Sequence, residues 1–187
     1  MVLRHNRDKR AIGTKGRIPG GVAIIISPTS VDAWRAEGLE PPIKTPLDSP
    51  FVGRFIGAKL RYPRINQYKK KLRGNITLFV ASIYHPVDEF EHTEFMDILR
   101  TIMSSVPKTE KFIGGNYVNA NLGIRSKMYG KTLGPWGINT CNMKGRRLLC
   151  FFSNNQPKIA NRIYKNSSYL TWRYFNKMRS PHMLDVI

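Results

Sequence analysis

The acidic residues of this sequence limit the hydrolytic chemistry that it can support. Hydrolysis of a phosphodiester with Mg²⁺ requires hard carboxylate ligands for the metal and an activated water as nucleophile. The stretch that is typical of the solvated start of a helix, where carboxylates favour the N-terminal dipole, holds five acids: Asp88, Glu89, Glu91, Glu94 and Asp97. Asp185 is then the only carboxylate in a strand-like setting near the other candidate residues, and one carboxylate makes a poor Mg²⁺ site.

Histidine and cysteine add little further chemistry. His85 follows an apolar run, and His182 precedes Asp185 by three residues. Either imidazole could contact a phosphate, although a loop-capping His85 and a partly buried structural His182 are the more ordinary interpretations. Cys141 and Cys150 form neither a CxxC pair nor a cluster with zinc-ligand spacing. We therefore expect no disulfide partner, a reduced setting, and oxygen ligands for any metal that binds.

Three apolar stretches predict the core strands that would position these side chains. Residues 20–28 are β-branched and bounded by Gly and Pro, which is typical of a buried strand. Residues 75–84 form a second such stretch, which must end at the His-Pro pair that follows, because proline cannot extend a ladder. A third strand begins at residues 112–113 and runs toward Asn116. Apolar residues at helical spacing predict a helix over residues 91–105, between the second and third strands.

The other segments are polar, proline-rich or glycine-rich. Residues 1–19 predict a basic mobile arm, residues 51–62 a further strand, and residues 65–74 an exposed hairpin loop. The predictions for the C-terminal part are a short helix at 148–154, the start of a strand at 158–161, and strand-like segments at 169–173 and 182–187. The pattern as a whole predicts an α/β arrangement with two layers or a sandwich.

Charge is the strongest signal in the composition. The chain carries 31 Lys and Arg against 12 Asp and Glu, a formal net charge of +19. A field of that sign attracts polyanions, so DNA or RNA is the first candidate partner. A solvated basic surface without a specific ligand is the alternative. The candidate contact residues are Lys69, Lys70, Lys71, Arg73, Arg125 and Lys127.

The sequence predicts neither a membrane protein nor a secreted one. No apolar run reaches the roughly 18 residues that a membrane-spanning helix needs. The basic N-terminus is not followed by the apolar segment of a secretory signal. We therefore expect an intracellular protein, nuclear or cytoplasmic, without a membrane partner, and the sequence leaves the oligomeric state open.

Short segments in a fixed order resemble one superfamily of phosphodiesterases. They are Gly-Gly-Val-Ala-Ile-Ile at 20–25, Ser-Ile-Tyr-His-Pro at 82–86, Asn-Tyr-Val-Asn-Ala at 116–120, Leu-Thr-Trp at 170–172 and Met-Leu-Asp-Val-Ile at 183–187. From Gly20 to its last residue the chain resembles the endonuclease/exonuclease/phosphatase superfamily. Within it, the segments look most similar to the endonuclease domains of non-LTR (LINE-type) retrotransposons and to the craniofacial development protein-like host proteins derived from them.

This resemblance implies a fold, a cofactor and a set of site residues. The fold is a four-layer α/β sandwich (DNase I-like), in which two packed mixed sheets carry outer helices. The activity is Mg²⁺-dependent nicking of DNA. Tyr84 matches the tyrosine that approaches the scissile phosphate, Asn119 matches the asparagine that positions phosphate and water, and Asp185 matches an aspartate that lines the site.

The chain departs from the family pattern where catalysis depends on it. The aspartate that polarises the attacking water falls on Tyr117, and a phenol with a pKa of about 10 cannot replace a carboxylate as base at pH 7. Residues 1–19 contain no Glu for the metal-binding strand, and the family's Ser-Asp-His segment should follow Ile187. We therefore expect residues 20–187 to form an incomplete domain that lacks N-terminal and C-terminal strands, has no intact metal site and is catalytically inactive.

Two further functional interpretations stay open at the sequence level. The first is a non-catalytic basic module that binds nucleic acid, in which Tyr117 could stack on a base. The second is a functionless product of a decayed mobile element, which the truncation and the loss of the aspartate at Tyr117 would equally fit.

Overall fold

A computed structural model describes residues 1–6, 21–66, 68, 70–124, 127–129, 132–155, 158–163 and 185–186 of the chain. The chain forms two compact units, residues 1–84 with 101–114, and residues 85–100 with 115–187. The elements are β1 (Val2–His5), β2 (Val22–Ile25), α1 (Pro28–Ala36), β3 (Ile43–Lys44), β4 (Phe55–Ile65), β5 (Lys71–Tyr84), α2 (Glu89–Ser104), β6 (Lys111–Tyr117), a 3-10 turn (Lys127–Tyr129), α3 (Met143–Asn155), α4 (Ala160–Ile163) and β7 (Asp185–Val186).

The first unit contains two sheets. Strands β1 and β2 form an antiparallel pair, and β3, β4 and β5 form an antiparallel series with β6 next to β5. Strand β6 follows β5 in the chain after helix α2 and lies beside β5 in the larger sheet. The fold is therefore α/β with two sheets, as the sequence predicted.

The two sheets of the first unit share one apolar cluster. Leu3 of β1 and the alternate residues Val22 and Ile24 of β2 are buried with Ile56 and Ala58 of β4. The alternation places every second side chain of β1 and β2 inward, which is the period that a two-layer packing requires. The first half of β4 is buried. Residues 75–84 pair with β4, which accounts for the apolar run that they form in the sequence.

The prediction of a mobile arm is wrong for the first residues of the chain. Residues 2–5 form β1, with Leu3 and His5 buried, and the amino group of Met1 donates to the Ile26 carbonyl at 3.1 Å. The Thr45 hydroxyl donates to the Phe51 carbonyl, so its oxygen accepts from Nε2 of His5 at 3.0 Å. Strand β1 does not form an apolar run, because one of its buried positions holds His5, a polar residue whose ring is hydrogen-bonded. The remainder of the predicted arm, 7–19, lies outside the described residues.

The predicted hairpin exists, with longer strands than expected. Strand β4 extends to Ile65 and β5 begins at Lys71, with a register shift between Pro63 and Ile65. From residue 63 onward the β4 side of this ribbon is mostly exposed, as is the β5 side up to Ile76. We call residues 61–77 the hairpin arm.

The second unit is built from helices and the end of β6. Helix α2 confirms the predicted helix, and α3 begins five residues before the predicted start at 148. The prediction of a strand at 158–161 is wrong, because residues 160–163 form helix α4. Ile159 is buried there and donates its N–H to the Thr132 carbonyl at 3.0 Å. The strand prediction therefore rested on one buried apolar residue without the alternation that a strand shows.

The C-terminal strand prediction is confirmed for Asp185 and Val186, which pair with Tyr117 and Asn116 of β6. The predicted segment at 169–173 lies outside the described residues. No helix in the described ranges has the length and apolarity needed to cross a membrane.

Glycine at position 21 tests the docking of β1. A Cβ added there would lie 1.8 Å from the His5 carbonyl oxygen, whereas one added at Gly115 would meet no atom within 4 Å. We predict that Gly21→Ala lowers the free energy of unfolding by about 1–3 kcal/mol, the usual cost of overpacking. Gly115→Ala should raise it slightly, by up to about 1 kcal/mol, because it restricts the unfolded chain. Urea unfolding of both variants measures this, and equal stabilities would show that β1 does not pack as described.

Candidate active site at the end of strand β6

The end of β6 brings together three of the residues selected from the sequence. Tyr117 is the last residue of β6, and its backbone pairs with that of Asp185 in β7. The Tyr117 carbonyl accepts the backbone N–H of His85 at 2.9 Å. Asn119 follows two residues later. The side chain of Asp185 lies outside the described part of the structure, so its placement here is that of its backbone.

Asn119 is held in an unusual backbone conformation. Its φ is +48°, in the left-handed region that non-glycine residues rarely occupy outside special sites. Its side-chain Nδ2 donates to the His85 carbonyl at 2.8 Å. The neighbouring Val118 and Ala120 are buried, which fixes the segment on both sides. Asn119, which was predicted as a site residue from the sequence, therefore links the end of β6 to His85 through its side chain.

His85 serves this site through its main chain. Its ring is fully buried, stacked on His92 with centroids 5.3 Å apart and edge-on to Phe95 at 5.4 Å. A phosphate in solvent cannot reach a ring in this position. The loop-capping interpretation is correct only for its backbone, whose N–H and carbonyl bind Tyr117 and Asn119. His182 lies outside the described residues.

The acids after Tyr84 begin a helix, as the sequence predicted. Asp88 Oδ1 accepts the backbone N–H groups of Phe90 at 2.8 Å and Glu91 at 3.0 Å. These bonds, with that from Glu91 the largest contribution, hold the pKa of Asp88 below its ordinary value. Glu89 forms an ion pair with Arg147 at 3.3 Å.

Helix α3 supplies two cations that the sequence reasoning missed. Lys144 Nζ donates to the Val87 carbonyl at 2.5 Å, and Arg147 reaches Glu89. Burial lowers the pKa of Lys144, and the nearby Glu89 and Asp88 oppose that shift. Both residues precede the predicted helix start at 148, although their spacing of three is the spacing of one helical face.

A cap and a glycine fix the start of α3. Asn142 Oδ1 accepts the N–H groups of Gly145 at 2.9 Å and Asn121 at 3.3 Å, which is N-capping combined with a bond to the segment after Asn119. A Cβ at Gly145 would lie 1.9 Å from the Asn121 carbonyl oxygen, so this helix start admits only glycine there. Lys144 is thereby positioned next to the acids of α2.

Tyr84, in the first unit, has its own cationic neighbour. Its side chain is 37% exposed, and the Arg54 guanidinium carbon lies 5.3 Å from its ring centroid. The Arg54 carbonyl accepts the Tyr84 N–H at 2.8 Å. Arg54 is only 7% exposed, and a buried cation over an aromatic face is a favourable contact. Arg54 could not be selected from the sequence, because a single arginine before a strand is common.

The predicted nucleic-acid contacts divide into two groups. Lys70, Lys71 and Arg73 are exposed on the hairpin arm. Lys69 and Arg125 lie outside the described residues, as does the side chain of Lys127.

The donor set does not fit Mg²⁺, the cofactor that the family resemblance implied. Among the described residues, no group of three or more His, Cys, Asp or Glu is placed to hold a metal ion. Asp88 and Glu89 are occupied by backbone N–H groups and by Arg147. Tyr117 offers a phenol, which is not among the hard carboxylate ligands that Mg²⁺ prefers.

Comparison with known proteins gives one similar structure. No protein-family model and no curated protein matches this chain. The chain is similar to the endonuclease domain of TRAS1, a telomere-specific non-LTR retrotransposon, with 16% sequence identity and a TM-score of 0.42. The match covers 78% of this chain and 53% of that one, so the chain spans about half the length of the structure that it matches.

His92 makes the second unit sensitive to acid. Burial, with smaller contributions from Lys144 and Arg147, lowers the pKa of His92 to about 4 from the ordinary 6.5. Above pH 6.5 the imidazole is neutral in both states, so it has no effect on stability. Between pH 6.5 and about 4 only the unfolded chain binds the proton, so the free energy of unfolding falls with pH.

We predict a fall of about 2–3 kcal/mol from this group between pH 7 and pH 4.5. His92→Phe, which keeps an aromatic ring against His85, should remove that part of the pH dependence. The measurement is the slope of unfolding free energy against pH for each protein, which is independent of the variant's stability at pH 7. Burial also lowers the pKa of His5, so a smaller slope of unfolding free energy against pH remains in both proteins. Identical slopes would contradict the prediction.

Proposed function

We propose that this chain binds nucleic acid on a nuclease-type α/β scaffold and does not cleave it. The observation that carries the proposal is the hairpin arm. It presents Arg64, Lys70, Lys71 and Arg73 to solvent, and no Asp or Glu occurs in the sequence between Asp48 and Asp88. Unbalanced exposed cations on a projecting ribbon favour contact with a polyanion.

The site chemistry supports the absence of cleavage. Hydrolysis needs a group that lowers the charge developing on phosphate and a base that activates water. The family resemblance aligns Tyr117 with the base, and a phenol, with an ordinary pKa of about 10, is a poor base at neutral pH. The nearest acids on α2 cap a helix or pair with α3, so they are already committed to structural contacts.

The scaffold still supports binding without that chemistry. Asn119, His85 and Tyr117 keep an ordered strand end, and Arg54 places a positive charge beside Tyr84. The Arg54 side chain is buried, so the exposed cations of the hairpin arm are the groups that can meet a phosphate. Binding of DNA or RNA is therefore the function that the geometry supports best.

A nicking assay tests the catalytic half of the proposal. We predict that the purified chain leaves supercoiled plasmid intact in the presence of Mg²⁺ or Mn²⁺. Tyr117→Asp should not restore nicking, because one added carboxylate does not complete a metal site. Nicking that disappears in both Tyr84→Phe and Asn119→Ala, with the fold retained, would establish an active enzyme instead.

Salt dependence tests the binding half. We predict that the affinity for a fluorescent oligonucleotide falls steeply with salt, and that replacing Lys69, Lys70 and Lys71 with Gln reduces the slope of log K against log salt by about two to three. The matched control replaces three lysines elsewhere, Lys108, Lys111 and Lys158, with Gln. The control has the same net charge and should keep most of the slope. Equal slopes for the two triple variants would remove the hairpin arm from the interface.

A further inference from the structure

We propose that the tip of the hairpin arm is a stacking platform for an unpaired base, with Tyr68 as the stacking side chain. This inference rests on the proposed function and narrows it to single-stranded nucleic acid. Tyr68 is 74% exposed at the turn between β4 and β5. An aromatic ring of this size, left in water at the end of a projecting ribbon, contributes nothing to the core.

The turn holds Tyr68 in a fixed position. Asn66 Oδ1 accepts the backbone N–H groups of Tyr68 and Lys70, each at 3.0 Å, and the Asn66 N–H donates to the Lys70 carbonyl at 3.0 Å. An asparagine that closes a loop on its own backbone is a stable local turn. Asn66 therefore holds the backbone N–H groups of Tyr68 and Lys70 before a ligand binds, which reduces the entropy lost on binding.

Cations lie on both strands leading to the tip. Arg64 is exposed near the end of β4, and Lys71 and Arg73 are exposed at the start of β5. These residues can neutralise phosphates on either side of a base that stacks on Tyr68. An aromatic ring between basic side chains is the arrangement by which proteins hold single strands without reading sequence.

A single strand fits this tip better than a duplex. In a duplex both faces of each base are covered by neighbouring bases, so a ring gains a stacking contact only after a base is unstacked at a cost of a few kcal/mol. In a single strand the face of a base is available. The exposed apolar residues of the arm, Ile65 and Leu72, would also suit a protein partner, but the surrounding positive charge favours a polyanion.

The experiment compares four proteins on three ligands. The proteins are the full chain, Tyr68→Ala and Tyr68→Phe, with Phe90→Ala as matched control, because Phe90 is a 73% exposed aromatic beside the acids of α2. The ligands are a 20-nucleotide poly(dT) strand, an abasic strand of equal length, and a 20-base-pair duplex, each measured by fluorescence anisotropy at one salt concentration. The high exposure of Tyr68 leaves the fold independent of the substitution, and circular dichroism checks this.

We expect Tyr68→Ala to weaken binding of poly(dT) by roughly 5- to 100-fold, the range for losing one base–aromatic stack. Tyr68→Phe and Phe90→Ala should bind poly(dT) like the unmodified chain. The abasic strand and the duplex should not distinguish Tyr68→Ala from the unmodified chain. Unchanged poly(dT) binding by Tyr68→Ala, or equal losses on all three ligands, would overturn the stacking role while leaving the proposed function intact.

Other outcomes separate the two proposals. If the unmodified chain binds none of the three ligands, both the proposed function and the stacking role are wrong. If it binds none of them but self-associates in sedimentation, and Tyr68→Ala abolishes the self-association, the tip is a protein contact and not a base platform.

Discussion

The order in the second unit depends on the main chain of one buried residue. His85 donates its N–H to the carbonyl of Tyr117 and accepts Nδ2 of Asn119 on its own carbonyl. Those two bonds join the residue after β5 to the last residue of β6 and to the loop beyond it. The His85 ring, packed between His92 and Phe95, anchors the peptide in place. Because these two hydrogen bonds satisfy the backbone polar groups of His85, the loop can hold Asn119 in the left-handed conformation.

The end of β6 is ordered by a small set of polar and apolar contacts. The contacts that order it are backbone bonds, a side-chain amide and buried rings, and none of them requires a carboxylate or a metal. The acids of α2 have been drawn into a cap and an ion pair with α3, where cations balance them. Tyr117 fits this setting, since a partly buried tyrosine can occupy the end of a strand.

Much of the core could be predicted from the sequence, because β2, β5 and α2 carry continuous or periodic apolar signals bounded by Gly or Pro. The end of β5 at Tyr84 followed directly from Pro86, which cannot join a ladder. Strand β1 could not be predicted, since half of its buried positions are filled by His5, whose partner Thr45 lies forty residues away. The start of α3 was missed because its first residues are polar and include Gly145, and only the contact with Asn121 explains that glycine. The contacts of Lys144 and Arg147 could not be predicted for the same reason, because both residues lie in the part of the helix that was missed.

Pro63 gives the hairpin arm a property that its charge alone would not. Strand β3 pairs only with Ile56 and Gly57, so it leaves the outer side of β4 uncovered by β3 further along. An open strand flank is a template on which another chain can add in cross-β fashion. A proline in that flank withholds one amide hydrogen, and the exposed Arg64 repels an identical neighbour. The arm can therefore extend into solvent without nucleating fibrils, and this protection weakens as ionic strength rises because only its electrostatic part is screened.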